Sequence, residues 1–411
     1  MTARRGLLKA LAGVALPALL TVLLASKTSA QIVEPDTSRS RVRLGPVLLN
    51  PTVDLSNLGV DTNVFNDPSG QERRDFTFTL SPKTDAWMKL GPTWVTGNVR
   101  EDLLWYETYA SERAANTTAN GAWIIPLNRL SFSVGAGIVS ARDRPGFEID
   151  ARVPRREVVY NGAVEARVGA RTHFGAQGSR RRITFSDDAM FLGASLKTEL
   201  NRVTTTGSLT VRHELTPLTS VTVDVGRSED RFEFSSLRDS NSTTAGVSVA
   251  FDPSALIKGT ARVGYRDFEP LSAGVPSFKG TTAAVDLSYV LLGATKFGVQ
   301  LTRDVQFSYD ANQPYYVQSG IAGSVTQQIY GPLDVMAGAG LYDLAYRTLP
   351  GVPNLLADRT DTNRSYNGGV GYHLSPDVRV GVKAEKLWRD SQVDGRQYKG
   401  YRIGMTLTYG T

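Results

Sequence analysis

A short turn, usually carrying Pro or Gly, recurs about every forty residues along most of this chain, and that rhythm constrains the fold more than any other feature. Eight such turns stand out: Gly91-Pro92, Pro126-Leu127-Asn128, Ala170-Arg171, Thr216-Pro217-Leu218, Asp252-Pro253-Ser254, Gly293-Ala294, Gly331-Pro332 and Ser375-Pro376-Asp377. Proline fixes φ and donates no hydrogen bond, so these positions belong between strands rather than inside them. Longer polar stretches separate them, among them Asp143 to Pro154, Ser186 to Lys197, Ser235 to Asn241, Glu269 to Pro276 and Arg347 to Asp358. The order is strand, short turn, strand, long loop, repeated. Eight turns and nine loops make seventeen connections, which join eighteen strands from Leu48 to Tyr409. Tight turns at one end and long loops at the other are the asymmetry of a membrane barrel.

Within the segments, residues alternate as a strand with one apolar and one wet face should. From Thr295, the residues Phe297, Val299, Leu301, Val305 and Phe307 share one face, with Arg303 interrupting the row, while Lys296, Gln300, Thr302, Asp304 and Gln306 share the other. In the last strand Tyr401, Ile403, Met405, Leu407 and Tyr409 oppose Gly400, Arg402, Gly404, Thr406 and Thr408. A soluble sandwich would alternate too. Strands of about ten residues or more and aromatic residues near segment ends favour lipid. Trp87, Trp94, Trp105, Trp123, Tyr106 and Tyr109 are expected in an aromatic girdle. A sheet in hydrocarbon can leave no open edge, so the expectation is a closed, all-β, antiparallel up-and-down transmembrane barrel. Tyr409 is followed by Gly410 and Thr411, a departure from the final aromatic on which such barrels commonly end.

The first thirty residues read as a secretory signal peptide, with a basic start at Arg4 and Arg5, a Leu- and Ala-rich stretch from Leu7 to Leu24, and small residues at Thr28-Ser29-Ala30 before Gln31. Lys9 and Pro17 interrupt the stretch, which argues against a membrane anchor. The expected organisation is a leader over 1–30, a short periplasmic segment over 31–46 and the barrel over 47–411, placing the mature chain in the outer membrane of a Gram-negative cell. Loss of Arg4, Arg5, Lys9 and Lys27 with the leader lowers the formal charge from +6 to +2, 42 basic against 40 acidic residues. The basic balance therefore gives no reason to expect a nucleic-acid partner. With no cysteine in the chain, disulfides, thiolate metal sites and cysteine nucleophiles are excluded. His173, His213 and His373 are scattered over different hairpins, outside any nucleophile arrangement with a serine and an acid, and nothing calls for a cofactor, a metal or an enzyme. The glycine runs 135–137, 338–340 and 368–371 sit in strands with no following helix and read as close wall packing rather than phosphate loops.

At the start of the mature chain, Arg43, Gly45, Pro46 and Pro51 precede and enter the first strand, and Asp61-Thr62-Asn63-Val64-Phe65 closes it. This segment resembles the opening of a family of outer-membrane β-barrel porins found with exopolysaccharide-export loci. The resemblance implies a barrel that passes a secreted polysaccharide across the outer membrane, with a periplasmic co-polymerase and export proteins as partners.

A barrel of about eighteen strands is wide enough inside for water, so a channel is its default function. Alternation places Arg100, Glu165, Arg167, Arg262, Arg266, Arg379, Lys383, Glu385 and Arg402 on the inner face, where they either pair along the wall or line a pathway for hydroxyl-rich or anionic sugar chains. Arg379, Lys383 and Arg402 fall together on the last two strands. Outer-membrane lipid and the barrel-assembly machinery are the partners any such barrel requires. The leading expectation is an exopolysaccharide conduit; the alternatives are a diffusion porin for small solutes and a non-conducting structural or adhesive barrel.

Overall fold

The computed structural model describes residues 34–352 and 359–410. The expected leader over residues 1–30, part of the loop from Arg347 to Asp358, and Thr411 lie outside the described residues.

Eighteen long strands follow one another: β1 (Val47–Asp61), β2 (Asp75–Leu90), β3 (Thr93–Tyr106), β4 (Ala114–Pro126), β5 (Leu130–Asp143), β6 (Val153–Arg167), β7 (Thr172–Phe185), β8 (Arg202–Thr216), β9 (Thr219–Phe232), β10 (Ser240–Phe251), β11 (Ile257–Pro270), β12 (Phe278–Leu291), β13 (Thr295–Phe307), β14 (Tyr315–Tyr330), β15 (Leu333–Arg347), β16 (Thr360–Ser375), β17 (Val378–Asp390) and β18 (Tyr398–Tyr409). Each pairs antiparallel with its sequence neighbours, and Val53 to Asp61 of β1 also pair with Arg402 to Tyr409 of β18, closing the ring. The barrel is the one expected, with eighteen strands, tight turns at one rim and long loops at the other. Strands of 12 to 16 residues exceed the roughly 9–11 that cross the hydrocarbon. Their ends therefore stand in the headgroup layers or beyond.

Tyr401, Ile403, Met405, Leu407 and Tyr409 are 37–57% exposed, an apolar row that a sandwich would bury and lipid would cover. The girdle differs from expectation. Only Trp105 and Trp123 of the six named aromatics point outward; Trp94 and Tyr106 are buried on the inner face, and Trp87 shares the inner-face parity of Asp85. Tyr109 sits in a loop, its ring 4.9 Å from Phe65. Proximity to a turn was a poor guide because strand parity, not height, decides which side of the wall a ring occupies. The outward belts are Phe132, Phe174, Phe297, Tyr372 and Tyr409 near the short-turn rim, and Phe76, Tyr160, Tyr265, Tyr366 and Tyr401 near the long-loop rim.

The motif residues fasten the closing seam at both ends. A three-residue strand, Val42–Leu44, turns back through Gly45, at φ +60°, and Pro46 to pair with Val47, Leu48 and Leu49. It covers the edge of β1 below the point where β18 ends. Arg43 Nε donates to the Gly45 carbonyl at 3.2 Å. Pro51 sits in β1 between these two pairings. At the other rim Asp61 accepts from Arg402 Nε at 2.9 Å and from the Asn63 backbone at 2.9 Å. Asn63, 1% exposed, donates to the carbonyls of Asp67 and Lys399 and accepts from the Asp67 backbone. The Arg73 guanidinium lies 3.7 Å from the centre of the Phe65 ring. Between these clasps β1 bulges around Asn57, at φ +54°, and Gly59 lies so close to the Ile403 carbonyl of β18 that a Cβ there would collide with it.

Candidate functional site

The inner wall carries a ladder of ion pairs seated on glycine. Arg262 on β11 reaches across β10 to grip Asp224 on β9 with two hydrogen bonds of 2.9 and 2.6 Å. Arg379 on β17 reaches across β16 to Asp334 on β15 at 2.7 and 2.6 Å. In each case a glycine of the intervening strand leaves the room: a Cβ at Gly246 would lie 2.6 Å from Arg262 Nη2, and one at Gly371 would collide with the Arg379 guanidinium. This accounts for Gly371, the last glycine of the run 368–371. Of the other inner-face residues, Arg100 binds Asp102, Arg266 binds Asp304 and Ser242, and Arg402 binds Asp61 with Glu385 at 3.8 Å. Glu165 is held by Arg212 and His173. Arg167 stands exposed at the short-turn rim, donating to the Asn128 carbonyl at 3.5 Å. Lys383 has no ion pair among the described residues. Of the three cations expected together on the last two strands, Lys383 and Arg402 line one recess with Glu385, whereas Arg379 lies outside it, on Asp334. His373 binds Asp334 at 3.0 Å and His213 meets Thr172. Among the described residues no group of three or more His, Cys, Asp and Glu is arranged to hold a metal ion.

Two chain segments turn into the mouth at the long-loop rim, the second while β14 stays paired with β15 as far as Tyr315 with Arg347. The first is the loop 144–152 between β5 and β6. Its contacts lie on the opposite side of the ring: Phe147 stacks on Tyr342 of β15 at 4.2 Å, and Arg389 of β17 donates to the Phe147 and Glu148 carbonyls and to Asp150. In a ring of eighteen strands, β5 and β15 are separated by ten places one way and eight the other. The loop therefore spans the bore. Towards β1, Arg144 and Arg152 both donate to the Val64 carbonyl.

The second segment is the hairpin formed by the ends of β13 and β14. Pairing between β12 and β13 stops at Ala283 with Arg303, although β12 continues to Phe278 and β13 to Phe307. Beyond that fork β13 pairs with β14 alone. Val305 and Phe307 keep the parity of the outward row, as the alternation requires, but they meet no lipid there. With Tyr315 and Val317 they pack on Phe232, Phe268 and Phe278, which project from the inner face of β9, β11 and β12. An outward face can touch a neighbour's inward face only if the hairpin has folded into the lumen. Arg303 sits at the fork, donating to the Thr281 carbonyl and to Ser319.

The two segments lock together. Glu148 accepts from Ser308 Oγ at 2.6 Å and from the Tyr309 backbone at 3.3 Å. Arg389, 1% exposed, bridges Asp150 at 2.9 Å and the fully buried Asp361 at 2.5 Å, and Ser391 donates to Asp361 at 2.6 Å. Arg396 adds contacts to Asp150 and Asp361 at 3.6 and 3.8 Å. An apolar core of Ile149, Ile183, Phe185, Phe191, Leu196 and Tyr309 lies beneath. The short helix Leu196–Leu200, capped by Ser195, contributes to it. Beside this lid a cavity of 220 Å³ is lined by Arg100, Asp102, Arg144, Arg152, Tyr342 and Tyr398, among others. That is less than the roughly 300–1,000 Å³ of sites that enclose a drug-sized ligand.

Burial pushes the Glu148 carboxyl up, opposed by the hydrogen bond from Ser308 and by Arg396. Burial, with Arg152 and Arg402 nearby, pulls the Arg144 guanidinium down to about 10. A carboxyl whose value is raised in the closed lid stabilises closure fully below its ordinary value of 4.5, and loses that contribution as pH rises through the raised value. Acidification is thus expected to hold the lid shut. Single-channel recordings between about pH 7 and pH 4 should show opening become rarer as pH falls, and recordings of Glu148→Gln should not. An equal response in both would contradict this role for Glu148.

The sequence reading named the ladder but missed the lid residues Glu148, Asp150, Asp361, Arg389 and Arg396. Arg389 was within reach of that reading, because it continues the inner-face row of Lys383 and Glu385. Tyr265 faces lipid and Tyr342 the lumen, its ring lying over Gly320 and Gly340.

Among solved structures the fold is similar to OccAB4 of Acinetobacter baumannii, at 7% identity and a TM-score of 0.48, covering 91% of this chain and 99% of that one. It is also similar to opdK of Pseudomonas aeruginosa, at 11% identity and 0.45, covering 87% and 98%. A third is the FrpB iron transporter of Neisseria meningitidis, at 8% and 0.42, covering 83% of this chain and 62% of that protein's length. No curated protein matches the chain. A family model described as "Putative beta-barrel porin 2" matches residues 39–410. With that match spanning the whole barrel and the seam clasps at both its ends, the chain belongs to this β-barrel porin family of the outer membrane.

Proposed function

We propose that the chain is the outer-membrane conduit for a secreted polysaccharide, delivered from the periplasm by a co-polymerase and export proteins, with the lid of 144–152 and 304–318 as its outer gate. The observation that carries this reading is the latch itself: a bore spanned by a loop tied to the far wall through Arg389, Asp150 and Asp361. A passage for a polymer must be wide when used and shut when idle, and a removable cover over a broad barrel meets both needs. Below the lid, amides and small residues support passage of hydroxyl-rich chains: Asn98, Asn120 and Asn161 face a groove with Thr96 and Gly137, and its one acid, Asp85, is paired with Lys83 at 3.2 Å. Most inner-wall charges are already paired, Lys383 excepted, so a neutral sugar chain would meet little net field. Export of the chain by a leader cleaved after Ala30 belongs to the same proposal.

A second reading is favoured by the cavity beside the lid, where Arg100 and Asp102 lie near Arg144 and Arg152. It is a diffusion porin for small polar solutes that pass without lid movement. Deleting the gene distinguishes the two. The conduit reading expects loss of surface polysaccharide with solute uptake unchanged. Unchanged polysaccharide with reduced uptake would overturn it in favour of the porin.

A further inference from the structure

At the long-loop rim the lipid-facing surface of β6 and β7 carries Arg156, Arg180 and Arg182. All are exposed and have the outward parity of Tyr160, Phe174 and Val158. Cross-strand pairing sets Tyr160 against Arg180, Val158 against Arg182 and Arg156 against Thr184. Arg180 and Arg182 are two residues apart on one face, about 7 Å along the strand, and Arg156 lies diagonally across from Arg182. Among the described residues none of the three guanidinium groups has an ion pair, a hydrogen bond or a ring contact. Most other outward cations at this rim are paired: Lys279 with Asp267, Arg364 with Asp390, and Arg227 and Arg231 with Glu229 two strands away; Lys399 on β18 is unpaired among the described residues but stands alone.

A cation on the lipid face is unfavourable unless it meets an anion or the headgroup layer. Three unpartnered guanidiniums, one level with an outward tyrosine and two above it, beside the apolar rows of β6 to β9, leave space for a ligand with acyl chains below and several negative oxygens above. Guanidinium binds phosphate bidentately, and three within reach of one another suit more than one phosphate group. We propose that this patch is a binding site for a phosphorylated glycolipid of the outer leaflet, with its acyl chains on the apolar wall and its sugar phosphates on Arg156, Arg180 and Arg182. The site is independent of what passes through the lumen.

Native mass spectrometry of the full-length barrel tests it, with three probes: a bisphosphorylated deep-rough lipopolysaccharide, the same lipid dephosphorylated, and phosphatidylglycerol. The bisphosphorylated glycolipid should bind most tightly. The variant R156Q/R180Q/R182Q should lose about tenfold or more of that affinity and bind the dephosphorylated lipid no differently from the wild type. Wild-type affinity in the triple variant, or equal binding of the dephosphorylated glycolipid or of phosphatidylglycerol, would overturn the assignment. Folding of each variant is read from heat-modifiable gel mobility. If the triple variant does not fold, the three single Arg→Gln variants replace it, and a full-affinity result in all three overturns the site.

Discussion

Arg389→Ala is expected to convert a channel that is mostly closed into one that is mostly open in a planar bilayer. Arg389 makes the contacts that hold loop 144–152 against the far wall, to Asp150, to the carbonyls of Phe147 and Glu148, and to Asp361. Removing one member of a buried ion pair typically costs about 3–5 kcal/mol, because the other charge is left without compensation. On the lid that charge is Asp150, which keeps only Asn66 at 3.5 Å and Arg396 at 3.6 Å, whereas Asp361, on the neighbouring wall strand, loses the same partner whether the lid is docked or not. If most of that loss falls on the docked lid, its closed-to-open ratio changes by roughly a hundredfold to a thousandfold. Arg389→Lys should fall in between, since an ammonium retains the charge but not the fork that reaches both acids. Conductance and open probability equal to wild type in Arg389→Ala would remove Arg389 from the latch.

Asn63→Ala is expected to weaken the barrel itself rather than the gate. The Asn63 side chain ties the turn after β1 to the start of β18, serving the Asp67 backbone and the Lys399 carbonyl together. Alanine leaves those groups unpaired in a site where the wild-type residue is almost wholly enclosed. At about 1–3 kcal/mol for each buried polar group left unmade, the expected loss is about 2–4 kcal/mol in urea unfolding followed by tryptophan fluorescence. Phe65→Ala removes an edge contact with Tyr109 and the stacked Arg73, and should cost only about 1 kcal/mol. If Asn63→Ala is no worse than Phe65→Ala, the polar clasp is not what fastens the seam.

The wall was legible in the sequence because its determinants are local. Alternation has a period of two, and turn chemistry is set by a few adjacent residues, so the eighteen strands and both rims could be placed from runs such as Tyr401 to Tyr409. The seam clasps were visible as the Arg43 to Phe65 motif, though not their purpose, because their partners, Lys399, Tyr401 and Arg402, stand at the other end of the chain. The lid was hidden for the same reason. Glu148 meets Ser308 across 160 residues and Arg389 meets Asp150 across 239. Strand parity correctly grouped Val305 and Phe307 with the outward row, yet it could not show that their strand leaves the wall after Arg303. A clue was present in the loops, where Phe147, Ile149 and Tyr309 are too apolar for segments exposed to water.

The most direct test of an inward-folded lid uses the absence of native cysteine. In the double variant Glu148→Cys, Ser308→Cys the two thiols replace side chains in hydrogen-bond contact at 2.6 Å. Because glutamate reaches further than cysteine, a short cleavable bis-thiosulfonate reagent should join the two thiols in intact outer membranes, leaving the purified barrel closed while linked and returning it to conduction when the link is reduced. No cross-link with that reagent, or the same conductance before and after reduction, would contradict the account of a bore closed by its own loops.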